Sequence, residues 1–448
     1  MDISFWSILV VVLMLGILVT VHELGHLWAA LLLRIKAFEV SIFVGPKLIA
    51  WKSKSGIDFS LRAIPMGAYV RFSEFDEEGK VIESEDSALL INQPRWKRLL
   101  VALAGPIMNV LLGVIIMMVM FCTFGFATTN IYKAYEGTQL YECDYNEGDS
   151  IVAINGERVF SYLDIQYELG NGQSQHDNMV VTLKDNETNE QYDITLTPEF
   201  TTKLLIGFSH YDDTDNKYNG WEIISVEENQ NDGDPFLEIG DYIVAIDGIP
   251  VTDPEVVERL NSTGEGSSVL IEYVRNGVTY EQESVRSMMT YSNDRGISLE
   301  AGKVKSFGSF FEALKTAISM PLSIFNISFR SIGDVFEGHE EVYNMVSGPV
   351  GITTAVSDVV DNVDHSVMSK LKNILFLSSI ISIALCFSNL LPIPGLDGIQ
   401  IVMIVVEMII GRPVSDNVEK LLTAVGFIVL IGLMIFAFAS DIIRILIG

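Results

Sequence analysis

Four apolar runs constrain this chain more than any other feature. A helix needs about 20 apolar residues to cross the ~30 Å hydrocarbon core of a bilayer. Lipid satisfies no backbone polar group, so runs of that length read as helices. Residues 3–33, 99–126, 374–391 and 421–440 meet the requirement. Residues 400–410 are apolar but short and include Glu407, which suits a half-buried helix or a continuation of the third run. The first run lacks a basic leading segment and continues past the length of a signal-peptide core, so it reads as a retained span. Only 49% of the 448 residues are hydrophobic, too few for a bundle of spans alone. The chain is expected to be part membrane and part water-soluble.

The net charge of −29 is unevenly placed. Residues 125–305 hold 34 Asp and Glu against 11 Lys and Arg, or −23, whereas residues 34–98 hold 11 Lys and Arg against 9 Asp and Glu, or +2. Basic residues beside spans mark the cytoplasmic side, and Arg34, Lys36, Arg95, Lys97 and Arg98 flank the first two runs. Residues 34–98 and 392–420 are therefore expected in the cytoplasm, and the acidic segment and both termini outside it. The acidic balance excludes nucleic acid as a partner, because phosphate binding takes clustered basic side chains. Cys122, Cys143 and Cys386 are scattered, giving neither a disulfide framework nor a cysteine zinc site.

Within the cytoplasmic segment, Ile57-Asp58-Phe59-Ser60-Leu61 and Ala68-Tyr69-Val70-Arg71-Phe72 alternate as short strands do. Residues 74–86 read as an acidic solvated loop. The external segment repeats itself. Gly148-Asp149-Ser150-Ile151-Val152-Ala153-Ile154-Asn155-Gly156 recurs as Gly240-Asp241-Tyr242-Ile243-Val244-Ala245-Ile246-Asp247-Gly248, with Val159 and Val251 at the same later spacing. Each copy predicts a strand, a tight turn at positive φ, a short strand, a helix (162–169; 253–260) and a further strand. A period of 92 residues is domain-sized. The pattern resembles PDZ domains, which bind extended peptides along a sheet edge. Residues 307–329 suit either an amphipathic helix on the membrane surface or an ordinary core-facing helix.

The chemistry is concentrated in His22-Glu23-Leu24-Gly25-His26. Positions i and i+4 share a helix face, so the two imidazoles can meet one zinc ion, while Glu23 serves as general base toward the attacking water. Ionisable groups within an apolar span are costly and usually functional. A catalytic zinc normally takes three protein ligands. Glu407 and Asp441 are possible thirds, but Asp397 is the better one. It follows the third run in Asn389-Leu390-Leu391-Pro392-Ile393-Pro394-Gly395-Leu396-Asp397-Gly398, where two prolines break the helix. Irregular backbone at membrane depth is tolerated only beside protein or a water-filled cavity, and a hydrolase there needs that water.

These pieces resemble the site-2 protease family of intramembrane zinc proteases, of the bacterial regulator of sigma-E protease type. The resemblance is carried by His22–His26, by the 389–398 element and by Ala104-Gly105-Pro106-Ile107-Met108-Asn109. Ser347-Gly348-Pro349-Val350-Gly351, Ile64-Pro65-Met66-Gly67-Ala68-Tyr69-Val70 and the tandem insertion add to it. It implies that His22, His26 and Asp397 hold Zn2+ and that Glu23 activates water. Asn389, Gly67, Ala68, Tyr69, Pro392 and Pro394 would then lie against substrate, with residues 67–72 pairing to it as an added strand. It implies substrates among single-pass membrane proteins, such as anti-sigma factors and signal-peptide remnants, cut in regulated intramembrane proteolysis in a bacterial inner membrane. Peptide tails or trimmed ectodomains would meet the PDZ-like domains. Two positions depart from the family pattern, Ile399 and Ala68, each where a second glycine is usual.

The expected fold class is a four-span, multi-pass α-helical membrane protein with a tandem pair of extracytoplasmic PDZ-like α+β domains and a small cytoplasmic, membrane-associated β-element. The segments are 1–34 (first span), 35–97 (β-element), 98–126 (second span), 127–205 and 206–304 (PDZ-like pair), 305–370 (interfacial helices), 371–412 (third span and Leu-Asp-Gly element) and 413–448 (fourth span). A cytosol-facing metalloprotease would usually take a later Glu as third ligand, and a peptide-binding scaffold would have no use for Glu23.

Overall fold

The computed structural model describes residues 4–73, 86–132, 139–143, 145–170, 178–197, 200–205, 207–210, 217–226, 230–253, 255–262, 267–285, 287–292, 297, 299–337, 348–361, 366–393 and 395–447. The acidic loop expected at 74–86, except Asp86, lies outside them, as do residues 133–138, Ser347 and Pro394.

The helices run in chain order as α1 (Phe5–Leu32), α2 (Arg95–Phe124), the short α3 (Gln139–Glu142), α4 (Tyr162–Gly170), α5 (Glu255–Ser262), α6 (Phe307–Glu337), α7 (Pro349–Val360), α8 (Val367–Leu390), α9 (Asp397–Ile410) and α10 (Asp416–Ile447). Four of them, α1, α2, α8 and α10, are long and apolar enough to cross a membrane. The chain is thus a multi-pass membrane protein by length and composition. Residues 400–410 belong to a separate helix, because the break after α8 restarts at Asp397. Caps agree with the sequence: the Ser4 and Ser366 side chains each accept the amide three residues on, and α2 ends at Gly125 with φ 88°.

Helix α2 is the centre of the membrane part and touches α1, α6, α8 and α9. Met117, Met120 and Phe121 on α2 form a core with Ala313, Ala317 and Met320 of α6 and Ile383 of α8. Helix α6 also exposes Phe307, Phe311, Ile318, Leu322 and Phe329. Helix α6 thus has one face in a core and another that is apolar and uncovered.

Residues 34–72 form one bent hairpin, not isolated short strands. Strand β1 (Glu39–Lys52) pairs with β2 (Asp58–Arg71) twice over. Val40 faces both Phe59 and Val70, so residues 39–42 are flanked by 58–61 on one side and 68–71 on the other. The 68–71 stretch is left as an edge, and β2 packs on α1.

The middle region holds two sheets of matching design. The first contains β3 (Phe126–Ile131), β4 (Ser150–Ile154), β5 (Glu157–Arg158), β6 (Met179–Lys184) and β7 (Gln191–Leu196). Strands β8 (Phe200–Leu205) and, later, β15 pair as a separate ribbon. The second sheet contains β9 (Phe208–His210), β10 (Trp221–Val226), β11 (Tyr242–Ile246), β12 (Ile249–Pro250), β13 (Ser268–Arg275) and β14 (Val278–Val285); β15 (Ser287–Ser292) and β16 (Leu299–Gly302) follow. The orders are β16-β3-β4-β6-β7 and β14-β13-β11-β10-β9, with β5 beside β4 and β12 beside β11. The repeat extends to irregularities. Both central ladders break register at the same place, between Ile151 and Ala153 and between Ile243 and Ala245. Asn155 and Asp247 take φ of 52° and 51°, and their side-chain Oδ1 atoms accept the Val180 and Leu270 amides.

The copies differ in attachment. Helix α4 is fastened to α6: Ser323 Oγ donates to Asp164 at 2.5 Å, and Arg330 pairs with Glu168 and Tyr167 with Asp334.

Candidate metal centre

His22 and His26 stand one turn apart on α1, on the face turned to α2. Space for two imidazoles between packed helices comes from missing side chains. A Cβ on Gly105 would lie 2.3 Å from His26 Nε2 and 2.8 Å from His22 Cε1. A Cβ on Gly25 would lie 2.5 Å from the Ala104 carbonyl oxygen. The bare backbone lets α2 pass directly under the rings. The two Nε2 atoms come within 3.2 Å of each other.

The third group arrives from the other end of the chain. Asp397 Oδ2 is 3.0 Å from His22 Nε2 and 3.3 Å from His26 Nε2. Donor atoms bound to a tetrahedral zinc at 2.0–2.1 Å stand ~3.3 Å apart. Asp397 Oδ2 is buried and accepts no hydrogen bond, a costly state for a carboxylate unless a cation is its intended partner. Two imidazole nitrogens and one carboxylate oxygen suit zinc. Among the described residues this is the one group of His, Cys, Asp and Glu arranged to hold a metal.

Asp397 is delivered by a tight turn. Helix α8 stops at Leu390, ahead of Pro392; the Ile393 amide then donates to the Leu391 carbonyl at 2.7 Å and the Leu396 amide to Ile393 at 3.1 Å. The chain folds back so closely that a Cβ on Gly398 would sit 2.1 Å from the Leu391 oxygen. Glycine after Asp397 is thus required by contact. Further along α9, Glu407 accepts from Arg98 of α2 at 2.9 Å and from the Val414 amide at 3.2 Å. The other candidate ligands are therefore engaged elsewhere. Glu407 ties α9 to α2, and Asp441 accepts the Gly348, Val350 and Gly351 amides at 3.0–3.1 Å, capping α7 from α10.

Glu23 follows His22 on α1, and its Oε2 accepts the Val70 amide of β2 at 3.1 Å. The hairpin edge and Glu23 are thus in direct contact. Tyr69 pairs with Ser41, and its hydroxyl accepts from Arg62 at 2.7 Å. Ala68 pairs with Ile42, and Gly67 takes φ 76°. Asn389 is half-buried in the last turn of α8, and Pro392 is exposed. Outside the spans, burial pushes the Glu39 carboxyl up, but Lys47, Arg62 and Arg71 outweigh it and hold the group below its ordinary value.

Sequence reasoning missed the part α2 contributes. His26 Nδ1 lies 2.8 Å from the Val101 carbonyl oxygen, and His22 Nδ1 lies 3.3 Å from Asn109 Nδ2. Val101, Gly105 and Asn109 recur every four residues, and that spacing beside the motif was the available signal.

The model of peptidase family M50 matches residues 10–433. A candidate zinc metalloprotease of Treponema pallidum is 26% identical over 458 residues, covering 97% of this chain and 98% of its own. A candidate zinc metalloprotease of Clostridium acetobutylicum is 32% identical over 209 residues, 46% of this chain and 59% of its own. The regulator of sigma E protease of Haemophilus influenzae is 24% identical over 473 residues, 98% of this chain and 99% of its own.

Proposed function

The chain belongs to peptidase family M50, and from that premise we propose that it is an intramembrane zinc endopeptidase that cuts single-span membrane proteins. The observation that carries the reading is the convergence of His22, His26 and Asp397 between helices long enough to span a bilayer. These three residues would hold zinc, which would supply the Lewis acidity that makes water a nucleophile near neutral pH. Glu23 takes a proton from the attacking water on its carboxylate and returns it to the leaving amide nitrogen. The Val70 amide holds that carboxylate in place.

A helical peptide bond is closed to attack, so the substrate must be extended at the site. The open edge at residues 68–71 supports substrate pairing as an added strand, since it is the stretch in contact with Glu23. Gly67, Ala68 and Tyr69 then align the substrate backbone, and Asn389 and Pro392 border it where the third span ends. The matched sheets act as PDZ-like modules that admit or dock peptide tails or trimmed ectodomains. Basic residues beside α1 and α2 support a cytoplasmic hairpin, with the acidic sheets and both termini outside a bacterial inner membrane. The relative named regulator of sigma E protease supports anti-sigma factors as one substrate class in regulated proteolysis.

The test is Glu23→Gln in the full chain, co-expressed with a single-span reporter. Zinc content is expected to stay at the unsubstituted level while cleavage is lost. Cleavage at the unsubstituted rate would overturn the mechanism.

A further inference from the structure

The two histidines differ in what lies behind them. A histidine that binds a metal through Nε2 must carry its ring hydrogen on Nδ1, and an acceptor at Nδ1 holds that tautomer. His26 has such an acceptor in the Val101 carbonyl, which can never donate. His22 has an amide instead. Asn109 is fully buried on α2, with Nδ2 facing His22 Nδ1. In that orientation Asn109 can only donate, which places the ring hydrogen on Nε2, where a metal ligand needs a lone pair.

The other end of the same amide resolves this. Asn109 Oδ1 is buried and has no hydrogen-bond partner among the described residues. Ser382 Oγ donates to the Asn109 backbone carbonyl at 2.7 Å, which fixes the main chain and leaves the side-chain amide to His22. A half-turn of that amide exchanges two groups of nearly equal shape and presents Oδ1 to Nδ1–H.

We propose that Asn109 is the positioning residue that sets the tautomer of His22: its amide oxygen accepts from Nδ1–H and leaves the Nε2 lone pair to the metal. The assignment rests on the zinc reading above. It gives α2 a defined part, with a main-chain acceptor at Val101, open space at Gly105 and a side-chain amide at Asn109. It also separates the ligands in kind. His26 leans on a main-chain carbonyl, whereas His22 leans on a side-chain amide.

The experiment measures zinc affinity of the full chain in detergent by competition with a chromogenic chelator, for Asn109→Leu, Asn109→Asp and Asn109→Ser. Leucine matches the shape but accepts nothing, and affinity should fall 10- to 100-fold, as for loss of an outer partner of a ligand. Aspartate accepts from Nδ1–H and should restore affinity to near the unsubstituted value. The Co2+-substituted aspartate variant should keep the unsubstituted absorption spectrum in the visible. Full affinity in the leucine variant, or an aspartate variant as weak as leucine, would overturn the proposal and leave Asn109 a packing residue. Should the leucine variant fail to fold, aspartate against serine decides in the same way, because the serine hydroxyl is too short to reach the ring. An unsubstituted chain that retains no zinc would overturn the metal reading instead, a result distinct from either.

Discussion

Buried carboxylates divide the membrane helices from the repeated sheets. Among the described residues of the repeated modules each is answered by amides, hydroxyls or an arginine; Asp247, whose buried Oδ2 accepts no hydrogen bond, has Arg259 Nη2 at 3.0 Å. Asp149 accepts the Asn146 and Asn186 amides and the Tyr192 hydroxyl; Asp241 accepts the Glu238 amide and both arms of Arg275; Asp164 accepts the Phe160 and Ser161 amides and the Ser323 hydroxyl. Among the helices, Glu407 and Asp441 are answered as fully. Asp397 is the exception: its Oδ2 accepts no hydrogen bond and faces two imidazoles where Asp247 faces an arginine. A buried carboxylate with donors is part of the scaffold, since donors offset its desolvation. One without them is held in an unfavourable state by the rest of the fold, which is how a protein prepares a cation site.

The contrast can be broken in three places. The largest effect is expected at the exception. Asp397→Ala should lower zinc retention by more than about 100-fold, the scale for losing a primary ligand where an outer partner costs 10–100-fold. Thermal unfolding of the metal-free protein should stay unchanged or rise, because no hydrogen bond is lost. Falling stability with zinc intact would erase the distinction. Next comes Arg275→Ala, which leaves Asp241 buried without its cation. Removal of one partner of a buried pair costs about 3 kcal/mol. Amide exchange should show that loss confined to the second sheet, with zinc content unchanged. The smallest effect is one of pH, at Glu39 beside the site. Its folded pKa is lowered from 4.5, so its contribution is complete above that value and lost as pH falls through the folded one. Protection of the hairpin amides should therefore hold from pH 7 to about 4.5 and decline below it. Glu39→Gln should remove that dependence.

The site was legible because lipid makes ionisable residues conspicuous. His22, Glu23 and His26 interrupt an apolar run, and Asp397 follows two prolines where a span should continue. The repeat was equally plain, down to Asn155 and Asp247 at positive φ. What escaped depends on contacts that no local pattern encodes. The strings at 57–61 and 68–72 announced strands, but not that both flank residues 39–42. Nothing near Ser323 or Asp334 shows that α6 must seat α4. Asn109 and His22 are 87 residues apart, and only packing of α1 on α2 brings their polar atoms together.

The order in which the ligands leave the ribosome carries one more consequence. His22 and His26 emerge with the first span, whereas Asp397 follows about 370 residues later. Synthesis at about 5–20 residues per second separates them by roughly 20–70 s. During that interval the nascent chain holds two imidazoles and no third ligand, and α9 has yet to dock on α2. A centre that needs all three residues cannot form before Asp397 has been made. Placing two ligands near one end of the chain and the third near the other makes the site a late product of synthesis.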